Sequence, residues 1–350
     1  MEITKPDIRK MSEDELIYSF LERGEKTFRG RQVYEWLWKK GSTSFEEMTN
    51  LSKETRKFLS ENFSIPRLSI HSKQTSNDNT VKFAFKTHDG HLTESVLIPS
   101  GSRATVCVSS QIGCKLNCTF CATGKIPFKR NLTQAEIFDQ IMTVKNKANE
   151  MYNLSLSNIV YMGMGEPLLN YEEVKASIEL IGSEKSIGFS PRRITLSTIG
   201  LPEKIKQLAD DQIRFNLAVS LHSALDETRT RLIPVNKKYN LEAIRKALQH
   251  FNQNTGKRIT FEYLMLKDIN DTLTEARALA EYCKNFPVKI NLIEYNATGD
   301  PDFQKPNPQK LNDFKTFLES KNLVVNLRKS RGEDIDAACG QLSGKKAGKR

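Results

Sequence analysis

The sequence predicts an α/β protein built around a partial (β/α)6 barrel. From Ala104 onward, segments rich in β-branched residues alternate with amphipathic segments of helical period. The predicted strands lie near residues 104–109, 158–162, 193–198, 215–221, 259–266 and 288–295. Because a helix follows each strand, the strands should be parallel with right-handed crossovers, and an open partial barrel is their natural closure.

Three further parts flank this core, which we expect to span residues 101–328. Residues 1–75 predict a small basic accessory domain of short helices, including an amphipathic stretch over 31–40 (RQVYEWLWKK). Residues 76–100 predict a connector hairpin, because two alternating segments surround a His-Asp-Gly turn at 88–90. Residues 329–350 form a C-terminal segment that ends in a basic tail.

Composition and charge restrict the class of partner. The chain has 350 residues, 38% of them apolar, and a formal net charge of +11. This excess of positive charge favours a polyanionic partner, with nucleic acid as the leading candidate. The first residues lack the apolar core of a signal peptide, and no stretch of about eighteen apolar residues could span a membrane. We therefore expect a cytoplasmic protein without membrane attachment.

The most informative motif is the run C-x3-C-x2-C formed by Cys114, Cys118 and Cys121. Iron–sulfur clusters and structural zinc sites both take four protein donors, so three closely spaced cysteines leave one iron of a 4Fe–4S cluster open. An open iron can bind a non-protein ligand and take part in chemistry. With Phe120 before the third cysteine, the segment resembles the radical S-adenosylmethionine (SAM) enzymes, in which that iron chelates SAM.

The cysteines admit two other interpretations. A zinc site could use Cys107 together with the three cysteines of the run, although no second C-x2-C or H-x3-H pair follows downstream. A thioredoxin-like redox motif would lie on a strand-to-helix turn, with no extra cysteine four residues upstream of the pair. Both explain the spacing less well than an iron–sulfur cluster does.

Other candidate site residues follow the predicted strands, where ligands of parallel sheets gather. Gly165 and Glu166 lie in the turn GMGEP, where glycine lets backbone approach a ligand and the carboxylate can accept from an ammonium group. Each could instead be an ordinary turn or capping residue. The remaining candidates at strand ends are Ser197, Ser220, Leu221, His222 and Asn296.

Three cysteines lie outside the run. Cys339, in DIDAACGQL, is flanked by two alanines and a glycine and is poorly explained by packing. Cys107 lies on the strand that leads into the run and could be a small buried hydrophobe. Cys283, in the helical segment EARALAEYCKNF, is assigned to packing.

Seven motifs carry a closer resemblance across nearly the whole chain. They are GCKLNCTFCATG, FKRNLT, GMGEPLLN, RRITLSTIG, SLH, INLIEYN and RGEDIDAACGQL. Together they resemble the RlmN/Cfr family of radical SAM RNA adenine methyltransferases. The resemblance implies a 4Fe–4S cluster held by Cys114, Cys118 and Cys121. It also implies SAM contacts at Gly165, Glu166, Ser197, Ser220, Leu221, His222 and Asn296.

The resemblance further implies a reaction that uses two SAM molecules per turnover. Cys339 takes a methyl group from one SAM, and a 5′-deoxyadenosyl radical from the second abstracts a hydrogen from that methyl group. The methylene radical adds to C2 of adenine, Glu94 accepts the C2 proton, and Cys107 forms a disulfide with Cys339 to release the product. Thiol–disulfide exchange of this kind needs such a resolving thiol.

Implied partners are 23S rRNA at its peptidyl-transferase loop, the adenosine 3′ of the anticodon in some tRNAs, and an electron donor such as flavodoxin or ferredoxin. Phosphate contacts would come from the basic N-terminal part and a set of other basic residues. That set comprises Lys125, Lys129, Arg130, Arg192, Arg193 and the tail KKAGKR.

Three residues bear on which member of the family this is. Pro127 and Glu294 stand where the family has glycine and proline, which puts loop shape and substrate range in doubt. Pro167 in GMGEP favours the C2 enzymes over their C8-methylating relatives. C8 methylation and a non-catalytic, metal-containing RNA-binding protein are the alternative functions.

Overall fold

A computed structural model describes residues 5–344, whose main feature is one ten-stranded sheet. The strands are β1 (Ser69–Thr75), β2 (Val81–Lys86), β3 (Leu92–Ser100), β4 (Arg103–Cys107), β5 (Gln111–Ile112), β6 (Arg130–Asn131), β7 (Leu156–Tyr161), β8 (Ile194–Thr198), β9 (Asn216–Ser220), β10 (Ile259–Met265), β11 (Val288–Glu294) and β12 (Val324–Arg328). The α-helices are α1 (Glu13–Leu21), α2 (Phe28–Glu35), α3 (Lys53–Asn62), α4 (Gln134–Tyr152), α5 (Tyr171–Gly182), α6 (Pro202–Asp210), α7 (Asp226–Leu232), α8 (Leu241–Thr255), α9 (Leu273–Tyr282) and α10 (Pro308–Ser320).

The sheet has a parallel part and an antiparallel part. Its strand order is β1-β2-β3-β4-β7-β8-β9-β10-β11-β12, and all pairs from β4 to β12 are parallel. The pairs from β1 to β4 are antiparallel. The predicted α/β class and parallel barrel strands are thus confirmed, and β12 adds a seventh parallel strand beside β11. The separate short hairpin β5–β6 lies in the loop that follows β4.

The parallel strands are buried because helices cover them. Ile259, Phe261 and Tyr263 lie on one face of β10 and are fully buried, and Phe261 and Tyr263 pack against aromatic residues of α9 and α10. Helix α4 begins at a capping box in which Thr133 and Glu136 satisfy each other's backbone amides, and Phe138 and Ile141 on it are fully buried. The described part of the chain contains no helix with the length and apolar character needed to cross a membrane.

The N-terminal helices are attached to the barrel through α4. Arg9 donates to both carboxylate oxygens of Asp139 at 3.0 Å, and Arg67 pairs with the same carboxylate. The Trp38 ring meets Phe138 edge to face, with 5.2 Å between centroids. Polar and apolar contacts together therefore hold the helical module against the core.

Strand β1 differs from the sequence prediction, which included residues 69–75 in the helical module. These residues pair with β2 and extend the connector into three strands. Most of β1 is exposed, as expected at a sheet edge. Its sequence SIHSKQT lacks the apolar alternation that marks a half-buried strand, so periodicity gives no signal there.

The C-terminal strap, which we define as residues 329–344, connects the two sides of the open sheet. It leaves β12 and reaches the β1–β2 turn, where the Gly332 amide donates to Asp78 Oδ2 at 3.1 Å and Ser76 Oγ donates to Asp334 Oδ1 at 2.5 Å. At its far end, Ser343 and Gly344 bind Glu94 on β3. The strap therefore passes over the carboxyl ends of the parallel strands. Residues 345–350 of the predicted basic tail lie outside the described residues.

Candidate active site

The carboxyl ends of the parallel strands surround a cavity of about 240 Å³. This is the edge at which parallel α/β sheets bind ligands. The structure brings most of the predicted site residues together there. Those that line the cavity are Cys107, Cys114, Cys118, Cys121, Gly165, Glu166, Ser197, Ser220, His222, Asn296 and Cys339.

The three cysteines of the run lie at one end of this cavity, in the loop after β4. Burial raises the pKa of the Cys114 thiol to about 11 and that of Cys118 well above its usual range. The neighbouring thiols of the run add to both shifts. Three neighbouring thiols that disfavour each other's ionisation need a cationic group to become thiolates, and an iron–sulfur cluster provides one. The donor set therefore fits the 4Fe–4S cluster.

A single metal ion and a cluster make different demands on these side chains. Within residues 5–344, no three His, Cys, Asp or Glu side chains converge on a point where one ion could bind. In a 4Fe–4S cluster each cysteine binds a different iron, so the three sulfurs need only face one common volume. The shared cavity meets this requirement.

The glycines of the GMGEP turn pack against the segment that leads from β4 to the three cysteines. Gly165 has a φ of +96°, and a Cβ there would lie 2.5 Å from the Gln111 side chain. A Cβ on Gly163 would lie 2.6 Å from Ser109 Oγ. These glycines thus allow two backbone segments to approach each other, while the predicted approach to a ligand remains a prediction.

Glu166 is a buried carboxylate whose position is fixed by backbone amides. Oε2 accepts from the Ile199 amide at 2.8 Å, and Oε1 accepts from the Leu168 amide at 3.0 Å. Burial raises its pKa to about 7, although these hydrogen bonds act in the opposite direction. A carboxylate poised in this way becomes fully charged when a cationic ligand binds beside it.

His222 is held as a neutral ring. Its Nδ1 accepts from the Leu264 amide at 2.9 Å, which leaves Nε2 to carry the ring proton. Burial, assisted by Arg229, lowers its pKa to about 3. The ring also packs edge to face on Phe120, with 4.8 Å between centroids. His222 therefore links the cysteine loop to the end of β9, whereas its neighbour Leu221 is buried outside the cavity lining.

Asn296, after β11, offers the cavity an unused acceptor. Its Nδ2 donates to the Cys339 carbonyl at 3.2 Å. Its Oδ1 is buried and has no hydrogen-bond partner among the described residues. Since buried polar atoms are normally satisfied, this oxygen fits a donor group on a bound ligand. Ser197 and Ser220 lie nearby, with their hydroxyl oxygens 3.4 Å apart.

Cys107 and Cys339 line the same cavity. Cys107 is the last residue of β4 and is buried, while Cys339 is exposed in the middle of the strap. Burial raises the pKa of Cys107 to about 12, and the nearby Cys339 adds to this shift. The amide of Ala122, next to Cys121, donates to the Gly340 carbonyl at 2.7 Å. The strap thus holds Cys339 close to both the cysteine loop and Cys107.

Glu94 lies beneath the strap and does not line the cavity. Its Oε2 accepts from the amides of Ser343 and Gly344 at 2.9 and 3.1 Å, and Lys82 Nζ lies 3.8 Å from Oε1. Burial raises its pKa, against the effect of Lys82 and the two amides. The role of Glu94 as proton acceptor therefore stays a prediction. For Glu94 to reach a substrate in the cavity, the turn at 343–344 would have to move.

Arg328 and Glu262 are cavity residues that the sequence analysis missed. Arg328 Nη1 lies 3.2 Å from Glu262 Oε2, and both line the cavity. The pKa of Arg328 is raised, first of all by the Cys339 sulfur. Glu262 could have been selected from the sequence, because it is a carboxylate within the apolar strand segment FEYLML and charged residues are seldom buried without a partner.

The basic residues predicted to bind phosphate divide into two groups. Arg130 is bound by Asp89 and Glu136, with its Nε 2.6 Å from Asp89 Oδ2, and Lys125 pairs with Asp300 at 2.9 Å. Lys129, Arg192 and Arg193 are exposed. The exposed group is better placed for RNA, whereas Arg130 is committed to a structural ion pair.

Comparison with known proteins agrees with this geometry. A model of the radical SAM superfamily matches residues 108–280, which run from the cysteine loop into α9. A model of the ribosomal RNA large subunit methyltransferase N-terminal domain matches residues 7–65. The second match ends before β1, as the helical module does.

Full-length relatives show similarity over the whole chain. A protein of Flavobacterium johnsoniae, described as a probable dual-specificity RNA methyltransferase RlmN, is 50% identical and covers 99% of both chains. A protein of Cytophaga hutchinsonii with the same description is 51% identical over 98% of this chain and 94% of its own. A solved radical SAM methyltransferase from Sphaerobacter thermophilus is 35% identical, with a TM-score of 0.92, covering 97% of this chain and 100% of its own.

The α/β sheet and the three-cysteine loop at its carboxyl edge define a radical SAM enzyme. With these relatives, the chain belongs to the RlmN family of radical SAM methyltransferases.

Proposed function

We propose that this protein methylates C2 of one adenosine in 23S rRNA and of the adenosine 3′ of the anticodon in some tRNAs. The observation that carries this proposal is the common cavity, which Cys107, Cys339 and the three cysteines of the run all line. An ordinary SAM methyltransferase needs no such set of thiols, whereas a transfer through a protein-bound methyl group needs each of them.

Different residues of the cavity would hold the iron–sulfur cluster and SAM. Cys114, Cys118 and Cys121 would hold a 4Fe–4S cluster, which, once reduced by a donor such as flavodoxin or ferredoxin, supplies a 5′-deoxyadenosyl radical from bound SAM. Glu166 would accept from the SAM ammonium group, and Asn296 Oδ1 is an acceptor for a further donor. His222 would donate from Nε2. Further contacts to SAM would come from Gly165, Ser197 and Ser220. Leu221 is buried outside the cavity lining and would support these residues by packing.

Cys339 is the methyl carrier in this proposal. Its exposed sulfur takes the methyl group of a first SAM molecule. The 5′-deoxyadenosyl radical from a second SAM molecule then takes a hydrogen atom from that methyl group. The carbon then bonds to adenine C2, Glu94 accepts the C2 proton, and the unpaired electron of the adduct returns to the cluster that the three cysteines would hold. The raised pKa of Glu94 suits a proton acceptor, because it makes the carboxylate a stronger base.

Cys107 resolves the covalent intermediate. Its thiol loses a proton and attacks the Cys339 sulfur, and the bond between that sulfur and the RNA-bound carbon breaks. The electron pair of the broken bond goes to the carbon, which takes up a proton to become the methyl group. The resulting Cys107–Cys339 disulfide must be reduced before the next turnover.

The position and the substrates can be tested in one measurement. We expect 23S rRNA and tRNA from a deletion strain to lack 2-methyladenosine, and expression of the wild-type chain to restore it in both. Mass spectrometry of nucleoside digests reports the result, with a strain expressing Cys339→Ala as the matched control. Loss of 8-methyladenosine instead would assign the C8 reaction, and unchanged RNA in the deletion strain would exclude both.

The raised pKa of Glu166 predicts a pH dependence of SAM binding. Its folded pKa of about 7 lies above the ordinary value of 4.5, so the carboxylate loses its charge as the pH falls through 7. SAM affinity should therefore fall roughly tenfold between about pH 7 and pH 5.5, since the ammonium group binds the ionised form. His222, with a pKa of about 3, stays neutral over this range.

Equilibrium binding of SAM to the cluster-loaded protein measures this dependence. Glu166→Gln should bind SAM weakly and with an almost flat pH profile. A wild-type profile that is equally flat would show that Glu166 does not receive the ammonium group.

A further inference from the structure

Lys82 is a buried cation that the proposed reaction does not use. It lies on β2, and its side chain is only 10% exposed. Its Nζ donates to the Asp336 carbonyl at 3.2 Å and lies 3.8 Å from Glu94 Oε1. Because a buried charge is costly unless it is paired and hydrogen-bonded, these two contacts determine where the ammonium group lies.

Lys82 and Glu94 together hold the strap on both sides of Cys339. Lys82 binds the strap at the Asp336 carbonyl, three residues before Cys339. Glu94 binds it at the amides of Ser343 and Gly344, beyond Cys339. The central part of the strap, including Cys339, is left to face the cavity.

The sheet register places this pair beside Cys107. Lys82 is opposite Val96 on β3, and Val96 is in turn opposite Cys107 on β4. Directly opposed residues project to the same face of a sheet, so Lys82 and Cys107 belong to one row across three strands. Lys82 therefore holds the strap over the row of side chains that contains Cys107.

A second set of contacts supports the strap from the cluster side. Asn296 Nδ2 donates to the Cys339 carbonyl, the Ala122 amide donates to the Gly340 carbonyl, and Thr123 Oγ1 donates to the Leu342 carbonyl at 2.6 Å. These contacts fix the strap on one side only. Without the contact at Asp336, the connector would hold the segment before Cys339 only at residues 332–334, through Asp78 and Ser76 of the β1–β2 turn.

We propose that Lys82 is a positioning residue for Cys339, which acts with Glu94 to clamp the strap so that the Cys339 sulfur stays opposite Cys107. The role of Cys339 as methyl carrier rests on the proposed function. The clamp itself is a property of the chain and can be measured without RNA.

Hydrogen exchange and thiol labelling test the clamp in the full-length, cluster-loaded protein. The variants are Lys82→Met, which keeps the length and removes the charge, and Lys82→Arg, which keeps the charge. Lys86→Met is the matched control, because Lys86 is exposed on the same strand. We expect amides of residues 332–344 to exchange, and Cys339 to react with N-ethylmaleimide, about tenfold faster in Lys82→Met, given the loss of a charge-assisted hydrogen bond. Lys82→Arg and Lys86→Met should stay within about twofold of wild type.

Hydrogen exchange in the barrel core shows whether Lys82→Met loosens only the strap or destabilises the whole protein. Exchange in β8 should be unchanged in Lys82→Met. Equal acceleration in the strap and in β8, or no acceleration in either, would overturn the proposal. If the strap alone responds but the wild-type protein methylates no RNA, the clamp stands and only the proposed function fails.

Discussion

Replacing Cys118 with alanine is expected to abolish both iron–sulfur cluster assembly and RNA methylation. Cys118 is the most buried cysteine of the run, and burial raises its pKa well above the usual range. Without it only two thiols face that end of the cavity, too few to retain a 4Fe–4S cluster. Methylation should fall by at least about 10⁴-fold, because no other group in the site generates the radical.

Iron analysis and visible absorption after anaerobic reconstitution measure the first effect, and mass spectrometry of RNA measures the second. We expect about four irons per wild-type chain and almost none in Cys118→Ala, in line with the donor set. Cys283→Ala is the matched control, because Cys283 is a buried packing residue in the turn after α9, outside the cavity lining. Methylation by Cys118→Ala would refute the radical mechanism. One zinc per wild-type chain without SAM cleavage would instead favour a non-catalytic RNA-binding protein.

Local patterns were sufficient to predict the barrel and the edge of the sheet at which the cavity lies. β-Branched segments that alternate with amphipathic helices predict the parallel strands, and the rule for ligand sites then places Glu166, Ser197 and Ser220 at one edge. Burial was less accessible from sequence. His222 could be a structural residue or a ligand. The structure shows the structural contact, from the Leu264 amide to Nδ1, while the SAM contact through Nε2 stays a prediction.

Contacts between distant parts of the chain could not be predicted in this way. Glu94 and Gly344 are 250 residues apart, yet their hydrogen bond fixes one end of the strap. Neither residue has a periodic pattern that indicates the other. The resemblance selected Glu94 as a proton acceptor, but only the structure shows that strap amides occupy its Oε2 and that Lys82 faces its Oε1.

Replacing Cys107 with alanine is expected to stop the reaction after RNA has become attached to the protein. In the proposed reaction, the methyl group on Cys339 can still form and react with adenine, since Cys107 takes no part in those steps. The bond between the Cys339 sulfur and the RNA-bound carbon then persists, because the attacking thiol is missing. Turnover should be limited to less than about one event per chain, with covalent RNA–protein adduct in place of free methylated RNA.

Denaturing gels with labelled RNA detect this adduct, and mass spectrometry after nuclease digestion locates it on the peptide that contains Cys339. The double variant Cys107→Ala/Cys339→Ala should form no adduct, and Cys283→Ala should turn over normally. Cys107 contributes only a small buried side chain at the end of β4, so alanine there should leave the sheet intact. Free methylated RNA released repeatedly by Cys107→Ala would show that another group cleaves the intermediate. Cys107 and Cys339 face one cavity, and no other cysteine outside the run lines it within the described chain, so the adduct would isolate the step that we propose for this pair of thiols.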